Sequence, residues 1–177
     1  MKILFVIDKI ELKYFEFNNL VTNFWIIKEF LDRGNEVFIT TIPNLSLKAD
    51  RAFTKCYETF CDKGNIFYKD VKIEREIDDF ELVMFRPDPP VDIDYINATY
   101  IFDFVKKPRV INSPSSIRDF NEKLHSVYFK ELMSENIVTA SLKEIEDFLA
   151  INKQIVLKPL NRCFGSGVMF LYDGDPN

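Results

Sequence analysis

The sequence lacks most of the residue patterns on which common metal and nucleophile sites depend. It contains one histidine, His125, and three cysteines, Cys56, Cys61 and Cys163, in 177 residues. A single histidine excludes a histidine metal cluster, and the cysteines fit no zinc-ligand spacing. Their odd number favours reduced structural thiols in a cytoplasmic protein. His125 itself is expected on a helix surface or partly packed.

Blocks of basic residues and long apolar runs are also missing. The net charge is −5, and lysine and arginine are nowhere clustered, which argues against nucleic acid as a partner but allows a local nucleotide pocket. No apolar stretch approaches the length of a membrane span. The N-terminal apolar run at residues 2–7 favours a strand over a signal peptide. We therefore expect a protein that binds neither nucleic acid nor membrane.

Glycine is scarce as well, with five residues, and the glycine motifs of common folds are not formed. The G-S-G at residues 165–167 is not followed by the lysine and hydroxyl residue of a Walker A loop. Its spacing also differs from that of a nucleophile elbow. The sequence is otherwise typical of a globular protein, with 47% hydrophobic and 29% charged residues.

The first half of the chain predicts an α/β domain. Apolar runs at residues 2–7 and 36–42 predict buried strands, and the helical spacing of apolar residues over 22–33 predicts a helix between them. Thr22 is expected to cap this helix and Gly34 to end it. The order strand, helix, strand predicts a parallel sheet.

Further elements extend to the end of the sequence. Alternating segments within residues 50–76 predict a hairpin around C-D-K-G-N, and the remaining patterns predict four strands and three helices. Asn112, Ser113 and Pro114 are expected to open a further helical stretch. The strands are expected at 81–86, 109–112, 154–160 and 168–172, and the helices at 93–106, at 121–132 and, from the capping box S-L-K-E, to about 151. An α/β domain to about residue 120, followed by a second α+β lobe, is the natural division.

Three charged positions are candidates for a site. Lys158 ends a predicted buried strand, where it would point from a rigid element into the space in which α/β sites form, or lie on the surface. Lys123 lies in the predicted helix 121–132, where a solvated position is the simple alternative. Arg86 precedes Asp88 and two prolines, and could bind a carboxylate through two parallel hydrogen bonds or form a loop salt bridge. Acidic residues at 92 and 94 fit either a D-x-D metal motif or a helix start.

Several segments in order resemble the prokaryotic glutathione synthetase family of ATP-grasp ligases. They are F-R-P-D-P-P-V-D-I-D-Y-I-N-A-T-Y-I (85–101), V-I-N-S-P-S-S-I-R-D-F-N-E-K-L (110–124), I-V-L-K-P-L (155–160), the glycine loop and D-G-D-P-N (173–177). The resemblance implies a pre-ATP-grasp domain with a parallel sheet flanked by helices over 1–120, and the first α+β lobe of an ATP-grasp domain over 121–177.

The resemblance also implies site residues. The lysines of N-E-K-L and L-K-P-L and the glycine loop would bind the nucleotide: Lys123, Lys158, Gly165, Ser166 and Gly167. The R-x-D-P-P and A-T-Y motifs would serve the γ-glutamylcysteine side: Arg86, Asp88, Thr99 and Tyr100. No catalytic side chain and no metal ligand is expected within the chain. ATP and Mg²⁺ are the implied cofactors.

The implied reaction is the ligation of γ-glutamylcysteine and glycine. ATP phosphorylates the dipeptide carboxylate, and the amine of glycine then displaces phosphate from the acyl phosphate. The family's second ATP-grasp lobe, with its Mg²⁺ ligands, would lie beyond Asn177, so we expect the chain to be inactive without it. A separate C-terminal half is one expected partner, and the family implies a homo-oligomer.

The chain departs from the family pattern at two places. Arg162 and Phe164 stand where the family loop carries glycines, and the N-terminal family motifs are replaced by Asp8-Lys9 and residues 20–22. Side chains in the loop would stiffen it or crowd the phosphate. Two alternatives therefore stay open: a non-catalytic binding or assembly module that keeps the fold, and another ATP-grasp carboxylate–amine ligase.

Overall fold

The structure, a computed structural model, describes residues 1–9 and 20–174. The chain divides into two compact units, an N-terminal unit Met1–Asp119 and a C-terminal unit Phe120–Asn177. The last three residues of the D-G-D-P-N motif lie outside the described residues. No helix in the described part is long and apolar enough to cross a membrane.

The N-terminal unit is built on a mixed sheet whose centre is parallel. Its strands are β1 Lys2–Ile7, β2 Glu36–Thr41, β3 Leu45–Lys48, β4 Arg51–Asp62, β5 Asn65–Tyr68, β6 Ile73–Glu76, β7 Leu82–Phe85 and β8 Arg109–Ile111. The parallel strands lie in the order β2-β1-β7-β8, and β4 joins β2 in antiparallel orientation. β3, β5 and β6 also pair antiparallel with β4. The predicted α/β class and the predicted hairpin, β4–β5, are confirmed.

Helices cover both faces of the parallel centre. They are α1 Thr22–Asp32, α2 Ile93–Ile101 and α3 Pro114–Asp119. Phe24 and Ile27 of α1 pack with Ile3, Phe5 and Ile7 on one face. On the other face, Tyr95 and Ala98 of α2 pack with Leu4, Val6 and Phe85. Since β1 is covered on both sides, every residue from Ile3 to Ile7 is fully buried, which explains its continuous apolar sequence.

The ends of α1 agree with the sequence prediction at one terminus only. Gly34 follows the helix with a φ of +76°, and its N–H donates to the Leu31 carbonyl at 2.9 Å, as expected of a glycine C-terminal cap. The prediction for Thr22 was wrong. The capping position is the preceding residue, Val21, whose side chain cannot accept a hydrogen bond, and Thr22 is already helical.

The start of α2 depends on an acidic side chain. The Asp92 carboxylate accepts a hydrogen bond from the Tyr95 N–H at 2.9 Å, so Asp92 satisfies a free donor of the first turn. The helix ends at Ile101 and continues as a 3-10 turn, Phe102–Phe104, so it is shorter than predicted. Asp92 therefore acts here as a helix cap.

Besides a 3-10 segment, the described residues of the C-terminal unit form one α-helix and one hairpin. These are α4 Leu142–Asn152, β9 Gln154–Leu157 and β10 Met169–Tyr172, with β9 and β10 antiparallel. Ser141 caps α4 by accepting from the Glu144 N–H at 3.4 Å, as the S-L-K-E sequence predicts. No described residue between 120 and 174 is buried.

The predicted helix at residues 121–132 was wrong. Residues 122–124 form a turn, and His125–Leu132 form a 3-10 helix that is kinked at Phe129. The Asn121 side chain accepts a hydrogen bond from the Lys123 N–H at 2.9 Å. Such a local bond offers the backbone an alternative to the α-helix, and the helix buries no residue that would outweigh it.

Candidate functional site

The carboxyl ends of β1 and β7 form one candidate site, in the N-terminal unit. α1 lies in the chain between β1 and β2, α2 lies between β7 and β8, and the two helices cover opposite faces of the sheet. Adjacent parallel strands whose connections diverge in this way open a crevice where α/β proteins bind ligands. Asp8 follows β1 and Arg86 follows β7 at this edge.

A buried asparagine holds Arg86. Asn23, in the first turn of α1, is only 3% exposed. Its Oδ1 accepts a hydrogen bond from Arg86 Nε, and its Nδ2 lies 3.5 Å from the Arg86 carbonyl oxygen, to which it donates. Among the described residues, Asn23 is the hydrogen-bond partner of the Arg86 side chain. Both terminal guanidinium nitrogens therefore remain available to a ligand.

Asp8 is tied to the loop that follows Arg86. Its Oδ2 accepts a hydrogen bond from the Asp88 N–H at 2.7 Å. Burial raises the pKa of Asp8, and the nearby negative charge of Asp88 raises it further, while the hydrogen bond from Asp88 acts in the opposite direction. Carboxyl groups with perturbed pKa values are more frequent at functional sites than elsewhere in proteins.

Tyr95 and two prolines fix the same loop. The buried Tyr95 hydroxyl donates to the Pro87 carbonyl at 3.1 Å, and burial raises the pKa of Tyr95 to about 12. The peptide bond between Pro89 and Pro90 is cis. The Asp88 side chain is exposed, so the loop presents its carboxylate to solvent.

The other two predicted substrate residues lie near the end of α2 and contact Arg118. The buried Thr99 hydroxyl donates to the Ile96 carbonyl at 2.6 Å and accepts from Arg118 Nη1 at 3.0 Å. The Arg118 guanidinium lies 4.8 Å from the ring centre of Tyr100 and pairs with Asp103 at 2.9 Å. Arg118 therefore joins α3 to α2 through two contacts and to the 3-10 turn after α2 through a third.

In the C-terminal unit, Lys123 reaches the loop that connects β9 to β10. Its Nζ donates to the Arg162 carbonyl at 2.5 Å and pairs with Glu122 at 2.8 Å. Asn121 holds the same loop, since its Nδ2 donates to the Leu160 carbonyl at 3.0 Å. The structure thus brings the lysine of N-E-K-L to the glycine loop, 39 residues later.

The loop between β9 and β10 has the backbone conformation of a glycine loop, but it carries glycine at only some of the positions. Gly165 and Gly167 have φ values of +73° and +74°, and Phe164 has a φ of +52°. A Cβ at Gly167 would approach the Pro159 ring to 2.9 Å, so this glycine is required for close packing. The Ser166 N–H donates to the Cys163 carbonyl at 2.9 Å. Phe164 is 87% exposed, and its side chain therefore projects into solvent from a position that favours glycine.

Lys158 follows β9 directly and is exposed. Side chains alternate along a strand, so Lys158 falls on the same face of the hairpin as Val156, whose cross-strand neighbour is Phe170. Val156 and Phe170 are 44% and 77% exposed. The hairpin therefore presents an apolar face with a lysine at one end, next to the loop.

The cysteines form no site among the described residues. None of the three forms a disulfide bond within the described residues. Burial raises the pKa of Cys56 to about 11, which keeps its thiol protonated and unreactive at neutral pH. Within residues 1–9 and 20–174, no group of three or more His, Cys, Asp and Glu side chains could hold a metal ion.

Three residues of these sites carry no role in the sequence prediction: Asn23, Asp8 and Arg118. Asn23 is a polar residue on the apolar face of a helix, and that position is the signal that could have identified it. Asp8 ends a buried strand, as Lys158 does. Arg118 lies within the motif 110–124. Their partners lie 15 to 80 residues away along the chain.

Comparison with known proteins places both units in one family. The family model for the prokaryotic glutathione synthetase N-terminal domain matches residues 1–118. The model for the prokaryotic glutathione synthetase ATP-grasp domain matches residues 122–177.

Individual relatives agree with the family models. The glutathione synthetase of Buchnera aphidicola subsp. Schizaphis graminum is 31% identical over 160 residues, which are 88% of this chain and 50% of that protein. That of Yersinia pestis is 32% identical, with the same coverage. That of Synechococcus elongatus is 42% identical over 105 residues, 58% of this chain and 32% of that protein. The chain spans about half the length of the curated relatives it matches.

Proposed function

The chain belongs to the prokaryotic glutathione synthetase family, and we propose that it provides the dipeptide site and half of the ATP site of a glutathione synthetase. The complete enzyme joins γ-glutamylcysteine to glycine with ATP in the cytoplasm. A second ATP-grasp lobe, in the same polypeptide or a separate chain, completes the site. The domains are proposed to span residues 1–120 and 121–177.

The contact between Lys123 and the loop carries the proposal for the nucleotide. A lysine bound to a loop carbonyl at 2.5 Å can turn to a phosphate oxygen when a nucleotide enters, because the ammonium group has three donors on a flexible stem. Lys158 adds a second cation on the adjoining hairpin. The backbone of residues Gly165, Ser166 and Gly167 would approach the phosphates closely, and the apolar face of the hairpin offers a surface for the base.

The proposed chemistry needs charge neutralisation more than a nucleophilic side chain. A carboxylate oxygen of the dipeptide attacks the γ-phosphorus, the bond to ADP breaks, and an acyl phosphate forms. The amine of glycine then attacks the acyl carbon, phosphate leaves, and the amine loses a proton. Lys123 and Lys158 would stabilise the charge on the transferred phosphoryl group.

Mg²⁺ supplies further charge neutralisation in such reactions when it is bound. The described residues contain no set of side chains that fits a metal ion. No role is therefore assigned to a metal ligand of this chain.

The dipeptide is proposed to lie at the carboxyl edge of β1 and β7. Arg86, whose terminal nitrogens are available, would bind a carboxylate of the dipeptide, and Asp88 lies in the same loop. Thr99 and Tyr100 would contribute to this side through Arg118, which contacts both. A homo-oligomer is proposed from the family resemblance alone.

A second candidate function is a binding or assembly module without catalysis. It is favoured by Phe164, which places an exposed ring where the family loop carries glycine, and by Arg162 at the other such position. A ring there would crowd the phosphates and keep the loop from closing.

Reconstitution tests the enzyme proposal. The chain is mixed with the C-terminal half of the Yersinia pestis glutathione synthetase, and phosphate release is measured. We expect release that requires ATP, γ-glutamylcysteine and glycine together. Phosphate release that stays at the level of either half alone would favour the binding module.

Calorimetry on the chain alone tests the nucleotide site. Lys158→Ala should weaken ATP binding about tenfold or more, since it removes a charge-assisted contact to phosphate. Lys143→Ala is the matched control, because Lys143 is an exposed lysine of the same unit that pairs with Asp147 on α4. Equal ATP affinities for the two variants would remove Lys158 from the site.

A further inference from the structure

Two opposite charges at the carboxyl edge of β1 and β7 have no ionic partner in the part of the chain that the structure describes. Within the described residues, neither Asp8 nor Arg86 takes part in an ion pair, although charged side chains elsewhere in the N-terminal unit form several, such as Arg51 with Glu76 and Lys48 with Glu74. Asp8 and Arg86 are both partly buried. Partly buried charges without partners are unfavourable, so their presence at one edge calls for an explanation.

The backbone holds the two residues opposite each other. The Arg86 N–H donates to the Val6 carbonyl at 2.9 Å, and the Asp88 N–H donates to the Asp8 carboxylate at 2.7 Å. The segment 86–88 is thus fixed to the segment 6–8 at both ends. Since neighbouring strands run about 5 Å apart, a small molecule above the edge can contact both side chains.

The two side chains approach this space from different sides. Residues 3, 5 and 7 of β1 face α1, so Asp8 continues the alternation toward α2. Arg86 lies toward α1, where Asn23 holds it. At this edge of the sheet, a guanidinium therefore lies on the α1 side and a carboxylate on the α2 side.

We propose that Asp8 binds the α-ammonium group of the γ-glutamyl residue whose α-carboxylate is bound by Arg86. The inference rests on the proposed function, which places γ-glutamylcysteine in this crevice. An amino acid end group carries an ammonium and a carboxylate on one carbon atom, and a site for it needs one group of each charge. Arg86 and Asp8 supply this pair.

The hydrogen bonding and the raised pKa of Asp8 fit its proposed role as the ligand of an ammonium group. One Asp8 oxygen accepts from the Asp88 N–H, and the other has no hydrogen bond among the described residues. An entering ammonium would compensate the carboxylate that burial and Asp88 now disfavour. Asp8 would thus select dipeptides with a free α-amino group over those without one.

The experiment compares two ligands and two proteins. Calorimetry measures the affinity of the full chain and of Asp8→Asn for γ-glutamylcysteine and for N-glutarylcysteine, the same molecule with hydrogen in place of the α-ammonium. Asparagine can still accept from the Asp88 N–H, so the loop contact is kept. We expect the wild-type chain to prefer γ-glutamylcysteine by about tenfold or more. Asp8→Asn should lose this preference and bind N-glutarylcysteine as the wild type does.

The other outcomes separate the two proposals. If the wild-type chain binds both ligands equally, the dipeptide site stands and the assignment of Asp8 is wrong. If Asp8→Asn weakens both ligands to the same extent, Asp8 is structural and the assignment is also wrong. If the wild-type chain binds neither ligand, the proposed dipeptide site fails, and the role of Asp8 fails with it. Asp62→Asn, an exposed carboxylate at the end of β4, is the control and should leave both affinities unchanged.

Discussion

Asn23 shows how one buried polar side chain organises the crevice. Its side-chain oxygen accepts a hydrogen bond from Arg86 Nε, and its side-chain nitrogen donates one to the main-chain oxygen of Arg86. A buried amide with satisfied bonds is rigid, because the loss of either bond leaves a polar group without a partner. The orientation of Arg86 is therefore fixed by α1 before any ligand enters, and this reduces the entropy lost on binding.

The raised pKa of Asp8 leads to a prediction about the stability of the protein. Burial raises its pKa in the folded state above the unfolded value of about 3.9. The folded protein therefore favours the neutral form, and ionisation of Asp8 lowers stability as pH rises through the raised pKa. We expect Asp8→Asn to melt at a higher temperature than the wild type at pH 7. The difference should shrink as pH falls through the raised pKa of the folded state and should vanish below the unfolded pKa, where Asp8 is protonated in both states.

Thermal melts followed by circular dichroism between pH 3 and pH 7 measure this effect. Asp62→Asn is again the control and should melt with the wild type throughout. A lower melting temperature for Asp8→Asn at pH 7 would show that the bond from Asp88 outweighs the cost of burial. Together with the binding experiment, a stabilised variant that loses ligand selectivity would show that stability is sacrificed for recognition.

The loop between β9 and β10 contains two glycines that suit its positive φ values and one phenylalanine that does not. Gly165 and Gly167 adopt positive φ without strain, and Gly167 allows close packing on Pro159. Phe164 adopts a similar backbone at a cost of about 1 kcal/mol. The loop therefore keeps the backbone of a glycine loop against the preference of one residue.

Phe164→Gly tests what this residue does. Glycine removes the strain, but its greater freedom in the unfolded chain costs about as much, so we expect little change in melting temperature. ATP affinity, measured by calorimetry, should rise by up to about tenfold, or about 1.4 kcal/mol, because the loop can close on the phosphates.

Phe164→Ala is the matched variant, since it removes the ring but keeps a Cβ at positive φ. Tighter binding by both variants would identify the ring as the obstacle, and tighter binding by glycine alone would identify backbone freedom. Weaker binding by both would mean that the ring contacts the ligand, and the crowding argument would be wrong.

At the scale of the whole molecule, the two units differ in burial. The N-terminal unit contains the fully buried strand β1 between two apolar clusters, whereas no described residue from 120 to 174 is buried. Since burial of apolar surface supplies most of the stability of a fold, the C-terminal unit is expected to open more easily.

Hydrogen exchange followed by mass spectrometry measures this difference. Amides of β1, β2 and β7 should exchange orders of magnitude more slowly than those of α4, β9 and β10. Addition of the C-terminal half of a relative, with ATP, should slow exchange in β9 and β10. Equal protection in the two units of the chain alone would contradict the prediction.

Local sequence patterns are sufficient to place most of the elements and several of their ends. Such local patterns are the apolar runs of β1, β2 and β7, the glycine after α1 and the capping box of α4. Each depends only on residues that lie close together in the sequence. The motifs also singled out Arg86, Lys123 and Lys158, through a resemblance to a family to which the chain belongs. The 3-10 form of His125–Leu132 escaped prediction, because its apolar spacing also suits an α-helix and only the missing burial and the Asn121 side chain decide against it.

Which of these charged and polar residues contact one another depends on the tertiary structure. Asn23 and Arg86 are 63 residues apart, Asp8 and Asp88 are 80 apart, and Lys123 lies 39 residues before the loop carbonyl that it contacts. The first two pairs follow from the order of the strands, β2-β1-β7-β8. The third forms because the loop after β9 folds back onto Lys123. No local pattern in the sequence encodes these contacts. The sequence therefore supplied the charged groups, and the order of the strands placed Asp8 and Arg86 at one edge of the sheet.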